Sequence, residues 1–224
     1  MTNKDLIPDN LYAAIANVIQ EARGQVKRAV NQQMVHAYWQ IGRLIVEQEQ
    51  QGQERAEYGK KQLEHLSKRL RDQFGKGFDA RNLRNMRAFY RHYPIWDAVR
   101  SKLSWTHYRI LLRIEKPAAR EWYAREALEQ NWSARALERQ IGVLYYERLL
   151  ASQEKAPVAQ EAQTKTAQLL ESPKDYLRDP YILDFLNLQD KTYQESDLEQ
   201  AIISNLQQFL LELGKSWLPT SNPG

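Results

Sequence analysis

The sequence predicts a mainly α-helical protein, and three observations lead to that prediction. Helix breakers are scarce, with 9 Gly and 8 Pro among 224 residues, while residues of high helix propensity such as Ala, Leu, Glu and Gln dominate. Apolar residues recur at steps of three and four, as they do on one face of an α-helix. No stretch shows a convincing strand pattern, in which apolar and polar residues alternate.

The first predicted element is one amphipathic helix that runs to about Gln50. Asp9 and Asn10 are suitable N-caps, and Gly24 is the place where a kink is expected. At 1.5 Å per residue the helix would span roughly 60 Å. A helix of this length needs partners along its whole apolar face, either other helices of the chain or a second copy. Its apolar positions are Leu11, Ile15, Val18, Ile19, Ala22, Val26, Val30, Ala37, Tyr38, Ile41, Leu44 and Ile45.

Shorter helices are predicted between the end of this element and residue 150. Asp79, Ser104 and Ser133 can cap three of them, and Pro117 suits the start of another. A polar, glycine-containing segment over 51–57 separates the long first helix from the next helix. A second such segment, over 75–79, separates that helix from the one after it. The predicted helices cover about 58–74, 79–93, 95–103, 104–114, 117–130 and 133–145.

The last third of the chain has a different composition. Residues 151–172 are small and polar, which indicates a linker or a weak helix. Beyond them one main amphipathic helix is predicted over 198–213, with Gly214 as its C-terminal cap. We therefore predict a helical domain over 1–150, a linker over 151–172 and a separate C-terminal part over 173–224.

Charge is divided unevenly between these parts. Residues 1–150 carry 26 Lys/Arg and 17 Asp/Glu, a net charge of +9, whereas residues 151–224 carry 6 and 11, a net charge of −5. A basic domain joined to an acidic one suggests that the basic domain meets a polyanionic partner. A solvated surface without any partner is the alternative that charge alone leaves open.

Composition also restricts the compartment. The chain has no Cys, which excludes disulfides, thiolate zinc sites and a cysteine nucleophile, and which is compatible with a reducing compartment. The first ten residues lack the apolar core of a signal peptide, and nowhere do 18 apolar residues follow one another. We expect a cytoplasmic protein without a membrane segment.

The most informative stretch is residues 60–91, which we call the basic segment. It contains ten Lys/Arg and three Asp/Glu, a net charge of +7 within two predicted helices and their glycine-containing turn. A helix, a turn and an arginine-bearing helix have the outline of a helix-turn-helix unit. The candidate nucleic-acid-binding residues are Lys68, Arg69, Arg71, Lys76, Arg81, Arg84, Arg87 and Arg91.

A helical wheel divides residues 81–93 into two faces. The arginine face, which consists of Arg81, Arg84, Arg87 and Arg91, lies opposite an apolar face of Leu83, Met86, Phe89, Tyr90 and Tyr93. One guanidinium group can bind two oxygens of a phosphate at once. Asparagines such as Asn82 and Asn85, which lie at the edges of the arginine face, can form hydrogen bonds with adenine. An ordinary solvated helix face is the alternative, although such faces usually mix both signs of charge to form ion pairs.

Patterns typical of catalysis are weak. His36, His65, His92 and His107 lack metal-ligand spacing, and neither a P-loop nor a G-x-G-x-x-G motif occurs. Ser104 and His107 fit a helix cap better than a catalytic pair. The carboxylate pairs 175/179 and 197/199 could suggest a magnesium site, but surface acids explain them more simply. The frequent aromatic residues are more typical of a core than of base stacking. We therefore assign no catalytic residue and no metal ligand.

Several long motifs resemble the YhcG-like proteins of the PD-(D/E)XK nuclease superfamily. The resemblance covers about residues 10–215, and the motifs occur in the order expected for that family. They are AVNQQMVHAYWQIGRLIVEQEQ (29–50), FGKGFDARNLRNMRAFYRHYP (74–94), LSWTHYRILLRIEKPAAREWY (103–123), NWSARALERQI (131–141), DYLRDPYILDFLNL (175–188) and SDLEQAIISNLQQFLLELGK (196–215).

The resemblance implies a helical DNA-binding domain followed by an α/β nuclease domain that uses Mg²⁺. In the family, the helix that ends here near Gly214 only opens the nuclease domain, and the strands bearing the catalytic Asp and the (D/E)-x-K signature follow it. No position of this chain matches those residues. We therefore expect a truncated remnant of the nuclease domain over 173–224, with no cofactor bound by this chain and no hydrolysis.

The preferred hypothesis is accordingly a DNA-binding module of a YhcG-like nuclease. The alternative is a non-catalytic helical assembly protein that docks to a partner nuclease, and a third hypothesis is an active nuclease that uses the acidic segment. Homo-oligomers could form through the long first helix or through the helix over 198–213. No membrane partner is expected.

Overall fold

A computed structural model describes residues 9–51, 56–96, 103–169 and 180–185 of the chain. Within these ranges every regular element is a helix, which confirms the mainly α prediction. The α-helices are α1 (Asp9–Gln51), α2 (Ala56–Phe74), α3 (Ala80–His92), α4 (Trp105–Leu111), α5 (Pro117–Glu129), α6 (Ala134–Gly142), α7 (Tyr145–Ala151), α8 (Lys155–Thr166) and α9 (Pro180–Phe185). Two 3-10 helices span Lys76–Phe78 and Ala167–Leu169.

The long first helix is confirmed as a single element of 43 residues. Its second half lies in the core, where Met34, Val35 and Tyr38 are fully buried. Its first part is different, since large apolar side chains there remain exposed, among them Tyr12 and Val18. We expected packing partners along the whole apolar face of this helix. The described helices of this chain provide them only from about Val30 onward.

Helix α3 packs across the second half of α1, and a glycine allows the close approach. A Cβ atom built on Gly42 would lie 2.1 Å from the carbonyl oxygen of Met86, a distance at which no real side chain fits. Near the same crossing, the Trp39 indole Nε1 donates a hydrogen bond of 2.6 Å to the carbonyl oxygen of Tyr93. Any side chain larger than a hydrogen atom at position 42 would separate the two helices.

Aromatic rings fill the core between α1, α3 and α4. Trp105 and Tyr108 from α4 are 0% and 1% exposed. The ring centroids of Tyr38 and Trp105 lie 5.0 Å apart, and those of Phe89 and Tyr108 lie 4.6 Å apart. These spacings fall within the range that aromatic pairs prefer. The prediction that these aromatics pack in a core is therefore confirmed.

The helix predicted over 133–145 is divided in two by a turn. Helix α6 ends at Gly142, and Leu144 adopts a left-handed backbone conformation with φ of 54° before α7 begins. The hydroxyl of Tyr123 accepts a hydrogen bond of 3.0 Å from the backbone N–H of Tyr146, which holds the first turn of α7 against α5. Burial raises the pKa of Tyr123 to about 12, so the hydroxyl stays protonated.

Part of the segment predicted as a linker or weak helix is a helix that packs on its neighbours. Ala162 and Thr166 of α8 are buried, and Glu161 forms ion pairs with Arg148 of α7 and with Lys165. These two cations hold the pKa of the exposed Glu161 carboxyl well below its usual range, to about 2.

Helix α9 packs against the helices that precede it. Ile182 is 4% exposed. Phe185 meets Tyr38 edge to face at a centroid distance of 6.1 Å, and the Arg109 guanidinium lies 4.7 Å from the centroid of the Tyr181 ring. The helix predicted over 198–213, and most of the one predicted over 95–103, lie outside the described residues.

Candidate nucleic-acid interface

Most of the basic segment forms a helix, a short turn and a second helix. Helix α2 ends where Gly75 adopts a φ of 94°, which glycine reaches without steric cost. The backbone N–H of Gly75 donates a hydrogen bond of 3.1 Å to the carbonyl oxygen of Arg71. The 3-10 helix Lys76–Phe78 follows, and the Asp79 side chain then caps α3 by accepting a hydrogen bond of 2.6 Å from the backbone N–H of Asn82.

Asn82 fixes this turn to the core and is unavailable for reading bases. Its side-chain Nδ2 donates a hydrogen bond of 2.7 Å to the carbonyl oxygen of Gly77, and its Oδ1 accepts one of 2.9 Å from Trp105 Nε1. The residue is only 3% exposed. The expectation that Asn82 could pair with adenine is therefore wrong, because the core uses both ends of its amide. Asn85, at the other edge, is half-buried.

The two faces predicted for α3 are present in the structure. Leu83, Met86 and Phe89 are fully buried, and Arg84 lies exposed on the other side of the helix. The amphipathic pattern of α3 thus seats its apolar face on the core and turns most of the arginine face outward.

Two members of the arginine face are bound by one carboxylate. Glu49 near the end of α1 accepts hydrogen bonds from Arg87 Nη1 at 2.8 Å and from Arg91 Nη2 at 2.9 Å. The helical wheel of residues 81–93 places no acid beside the four guanidinium groups, but the fold brings Glu49 to Arg87 and Arg91. A wheel of α3 alone could not reveal this contact, because Glu49 is 38 residues away from Arg87 along the chain.

Six candidate residues remain exposed and without an ion pair among the residues that the structure describes. They lie on α2, on the 3-10 helix and on α3, which pack against one another. The structure thus places them on two helices and the 3-10 turn between them, which together carry a strong positive charge. We call them the unpaired cations, and they are Lys68, Arg69, Arg71, Lys76, Arg81 and Arg84.

His92, at the end of α3, adds no charge to this unit at neutral pH. Partial burial lowers the pKa of His92, and the nearby positive charge of Arg120 lowers it further. The imidazole is therefore neutral near pH 7 and does not add to the positive charge of the Lys and Arg side chains.

The Ser104–His107 pair has the geometry of a helix cap. The two side chains meet at 2.7 Å between Ser104 Oγ and His107 Nδ1, and His107 Nε2 lies 3.0 Å from the carbonyl oxygen of Trp132. Ser104 and His107 are 4% and 1% exposed, so a substrate cannot reach them. The structural interpretation of this pair is confirmed by the reciprocal capping contacts at the start of α4.

Metal binding finds no support in the described ranges. They contain no group of three or more His, Asp or Glu side chains placed to hold a metal ion. The acidic pairs 175/179 and 197/199 lie beyond those ranges. Likewise, no helix in the part of the chain described here is long and apolar enough to cross a membrane.

Within the described residues, the fold and this surface define an all-helical protein in which two helices joined by a 3-10 turn are strongly basic, and in which the short helix α9 packs against α1 and that turn. Comparison with known proteins gives the family. Residues 14–148 match the DUF1016 N-terminal domain, and residues 174–220 match the YhcG PDDEXK nuclease domain. The chain belongs to the YhcG-like family, as the sequence motifs indicated.

One relative extends this comparison. Over 236 aligned residues the chain is 36% identical to "Putative nuclease YhcG" of Escherichia coli (strain K12). The alignment covers 91% of this chain and 62% of that protein, so the chain spans less than two thirds of the relative's length. No solved structure matches the chain.

Proposed function

We propose that the helical domain, over residues 1–150, is a DNA-binding module of a YhcG-like nuclease. One observation carries the proposal: six exposed cations lie on a single helix–turn–helix unit and form no ion pair within the described residues. A surface that serves only solubility usually carries both signs of charge, and its cations pair with acids a turn away. A cluster in which basic residues far outnumber acidic ones attracts a polyanion.

The chemistry of the side chains fits a phosphate backbone. Arginine presents a planar fork that binds two phosphate oxygens at once, and lysine provides a flexible point charge. The apolar face of α3 holds that helix in place, so Arg81 and Arg84 project from a rigid support. DNA as the polyanion is favoured by the nuclease domain that residues 174–220 match.

Because of Glu49, the two halves of the arginine face differ in uncompensated positive charge. One carboxylate is shared by Arg87 and Arg91, so this pair retains about one net positive charge. Arg81 and Arg84 carry their full charge. We therefore assign the main phosphate contacts to Arg81 and Arg84, with Lys68, Arg69, Arg71 and Lys76 beside them and Arg87 and Arg91 as weaker contributors.

The proposal is tested by titrating duplex DNA, followed by fluorescence anisotropy, at several salt concentrations. Each neutralised phosphate contributes roughly 0.9 to the slope of log affinity against log salt. The double variant Arg81→Ala/Arg84→Ala should bind more weakly, with a slope shallower by about 2. A matched control is Arg135→Ala/Arg139→Ala, which removes two exposed arginines from α6 and should leave the slope unchanged.

Equal slopes for the wild type and for Arg81→Ala/Arg84→Ala would contradict the proposed surface. If the slope of the α6 control became shallower by the same amount as that of Arg81→Ala/Arg84→Ala, DNA binding would depend only on the overall charge of the protein.

The variant Glu49→Gln provides a test with the opposite sign. Removal of the carboxylate frees the charges of Arg87 and Arg91, so DNA affinity should rise and its salt dependence should steepen. Circular dichroism checks that the helices persist. Unchanged or weaker binding by a folded Glu49→Gln protein would exclude Arg87 and Arg91 from the interface.

We expect the 224-residue chain to bind DNA without cutting it. None of its residues matches the catalytic Asp or the (D/E)-x-K signature that the family resemblance implies, and general acid–base and metal chemistry would need those groups. Incubation with supercoiled plasmid and Mg²⁺ or Mn²⁺ measures this directly. Nicking activity that stays with the protein in the fractions of successive purification steps would overturn the expectation.

An assembly role is a second candidate, and the exposed apolar residues in the first part of α1 favour it. Tyr12 and Val18 are 70% and 66% exposed, which is unusual for large apolar side chains that recur along one helix. Assembly and DNA binding are compatible, since the exposed apolar residues of α1 and the unpaired cations are different sets of residues.

A further inference from the structure

The first part of α1 carries a stripe of exposed apolar side chains. Described helices of this chain cover little of it, and the side chains at 10–15 and 17–22 are all exposed. The same stretch forms about three and a half turns of continuous helix. Its large apolar residues are Leu11 (50% exposed), Tyr12 (70%), Ile15 (50%), Val18 (66%) and Ile19 (45%).

The spacing along this stripe is that of a coiled coil. Tyr12, Ile15, Ile19, Ala22 and Val26 follow one another at steps of three, four, three and four residues. This alternation is the a/d pattern that keeps one seam facing a partner helix. The a positions hold Tyr12, Ile19 and Val26, and the d positions hold Ile15 and Ala22.

The stripe is complementary to itself. On a helical wheel centred on Ile15, its apolar residues fall within about 60° on either side. All charged residues of the segment, which are Asp9, Glu21, Arg23, Lys27 and Arg28, fall outside that range. A purely apolar seam contains no charge that would repel an identical seam, and a twofold dimer needs the same patch on both partners. A second copy of this chain therefore fits the surface.

The stripe is also continuous with the core. Val26 packs against the core at its edge, and Val30 is 2% exposed. The segment before residue 30 thus extends from a fixed base as a helix of roughly 30 Å. A rigid helix loses little conformational entropy when it associates, which favours pairing along its length.

We propose that residues 10–29 of α1 form a coiled coil with the same segment of a second copy of this chain. The dimer then carries two helix–turn–helix units. Two linked units bind one DNA molecule more tightly than one, because the second contact becomes intramolecular. The dimer itself does not depend on the proposed DNA binding, so each can fail without the other.

The test is the mass of the full chain in solution, measured by light scattering after size exclusion at tens of micromolar. The wild type should have a mass of about twice 26.4 kDa. The variant Ile15→Gln/Ile19→Gln places two amides in the seam and should be monomeric. The matched control Ala13→Gln/Asn17→Gln makes substitutions of the same kind on the opposite, exposed face and should remain dimeric.

Circular dichroism of all three proteins shows whether α1 remains helical. A monomeric wild type overturns the proposal. If hydrogen exchange shows that residues 10–29 of the monomer are protected, another part of the same chain covers them instead of a second copy. A dimer whose mass is unchanged by Ile15→Gln/Ile19→Gln overturns it as well. A DNA titration that fails while the dimer persists leaves this proposal intact and counts only against the proposed function.

Discussion

Single polar side chains hold the basic unit in place, and they do so through contacts far apart in the chain. Asn82 joins the turn at Gly77 to the indole of Trp105, and Glu49 joins α1 to Arg87 and Arg91 of α3. Both residues are ordinary polar residues in the sequence. The burial of Asn82, with both ends of its amide occupied, turns a candidate for base recognition into a structural residue.

His107 is the more deeply buried of two histidines whose lowered pKa should link pH to stability, the other being His92. Burial lowers the pKa of His107 below its usual value of 6.5. The unfolded chain therefore takes up a proton at a higher pH than the folded chain does. The free energy of unfolding should be highest above about pH 6.5, and it should fall as the pH drops from 6.5 toward the lowered pKa of the folded state.

Urea unfolding followed by tryptophan fluorescence at pH 7.5, 6.5 and 5.5 measures this loss. His107→Gln should lose less stability than the wild type between pH 7.5 and 5.5, since its amide does not titrate. His65→Gln, which changes an exposed histidine, should behave like the wild type. The same loss of stability in His107→Gln and in the wild type would show that other groups cause the pH dependence.

Two elements illustrate how far periodicity predicts structure. The 3.6-residue repeat correctly predicts both the length of α1 and the buried face of α3. It also predicts one helix over 133–145, where the structure has two, α6 and α7. The break begins after Gly142, a residue that the apolar repeat does not take into account. It coincides with a hydrogen bond from the backbone N–H of Tyr146 to the Tyr123 hydroxyl that only tertiary packing supplies.

The crossing of α1 and α3 should depend on Gly42. In Gly42→Ala the new methyl group would lie 2.1 Å from the carbonyl oxygen of Met86, so the helices must move apart and the packing of α3 must loosen. We expect a loss of about 1–3 kcal/mol or more in the free energy of unfolding. Since α3 carries the arginine face, DNA affinity should also fall. Urea unfolding gives the first quantity and anisotropy the second.

Gly142→Ala is the control for this change. Gly142 is the exposed last residue of α6, and no atom lies within 4 Å of a Cβ atom built on it. Alanine there should be neutral or stabilise the protein by up to about 1 kcal/mol, because it restricts the unfolded chain. If Gly42→Ala were as stable as Gly142→Ala, the close approach of α1 and α3 would be wrong.

At the scale of the whole molecule, the two regions that match separate family domains are in contact. Helix α9 lies within the match to the YhcG PDDEXK nuclease domain, yet it packs on α1 and on the 3-10 helix of the basic unit. The division at 150 and 172 stays a prediction. The contacts of Ile182 and Phe185 show that α9, a helix within the nuclease-matching region, takes part in the core that α1 helps to form.

Ile182→Ala should therefore destabilise the helical domain although it lies outside residues 1–150. Ile182 is 4% exposed, and removal of a buried Ile side chain to Ala costs about 2–5 kcal/mol. Leu150→Ala removes a similar volume where the side chain is 66% exposed, and it should change stability by no more than about 0.5 kcal/mol. Urea unfolding of the full chain compares them, and equal stability of the two variants would show that α9 is not part of the core.

The sequence by itself determined the helical class, the extent of α1, the two faces of α3 and the family, because these depend on local spacing, composition and ordered motifs. Tertiary structure alone decided which charges stay unpaired, which half of α1 is covered and where α9 lies. Those properties come from contacts between residues such as Glu49 and Arg87, or Tyr38 and Phe185, that are distant along the chain. A helical repeat records which face is apolar, but it does not record what packs against that face.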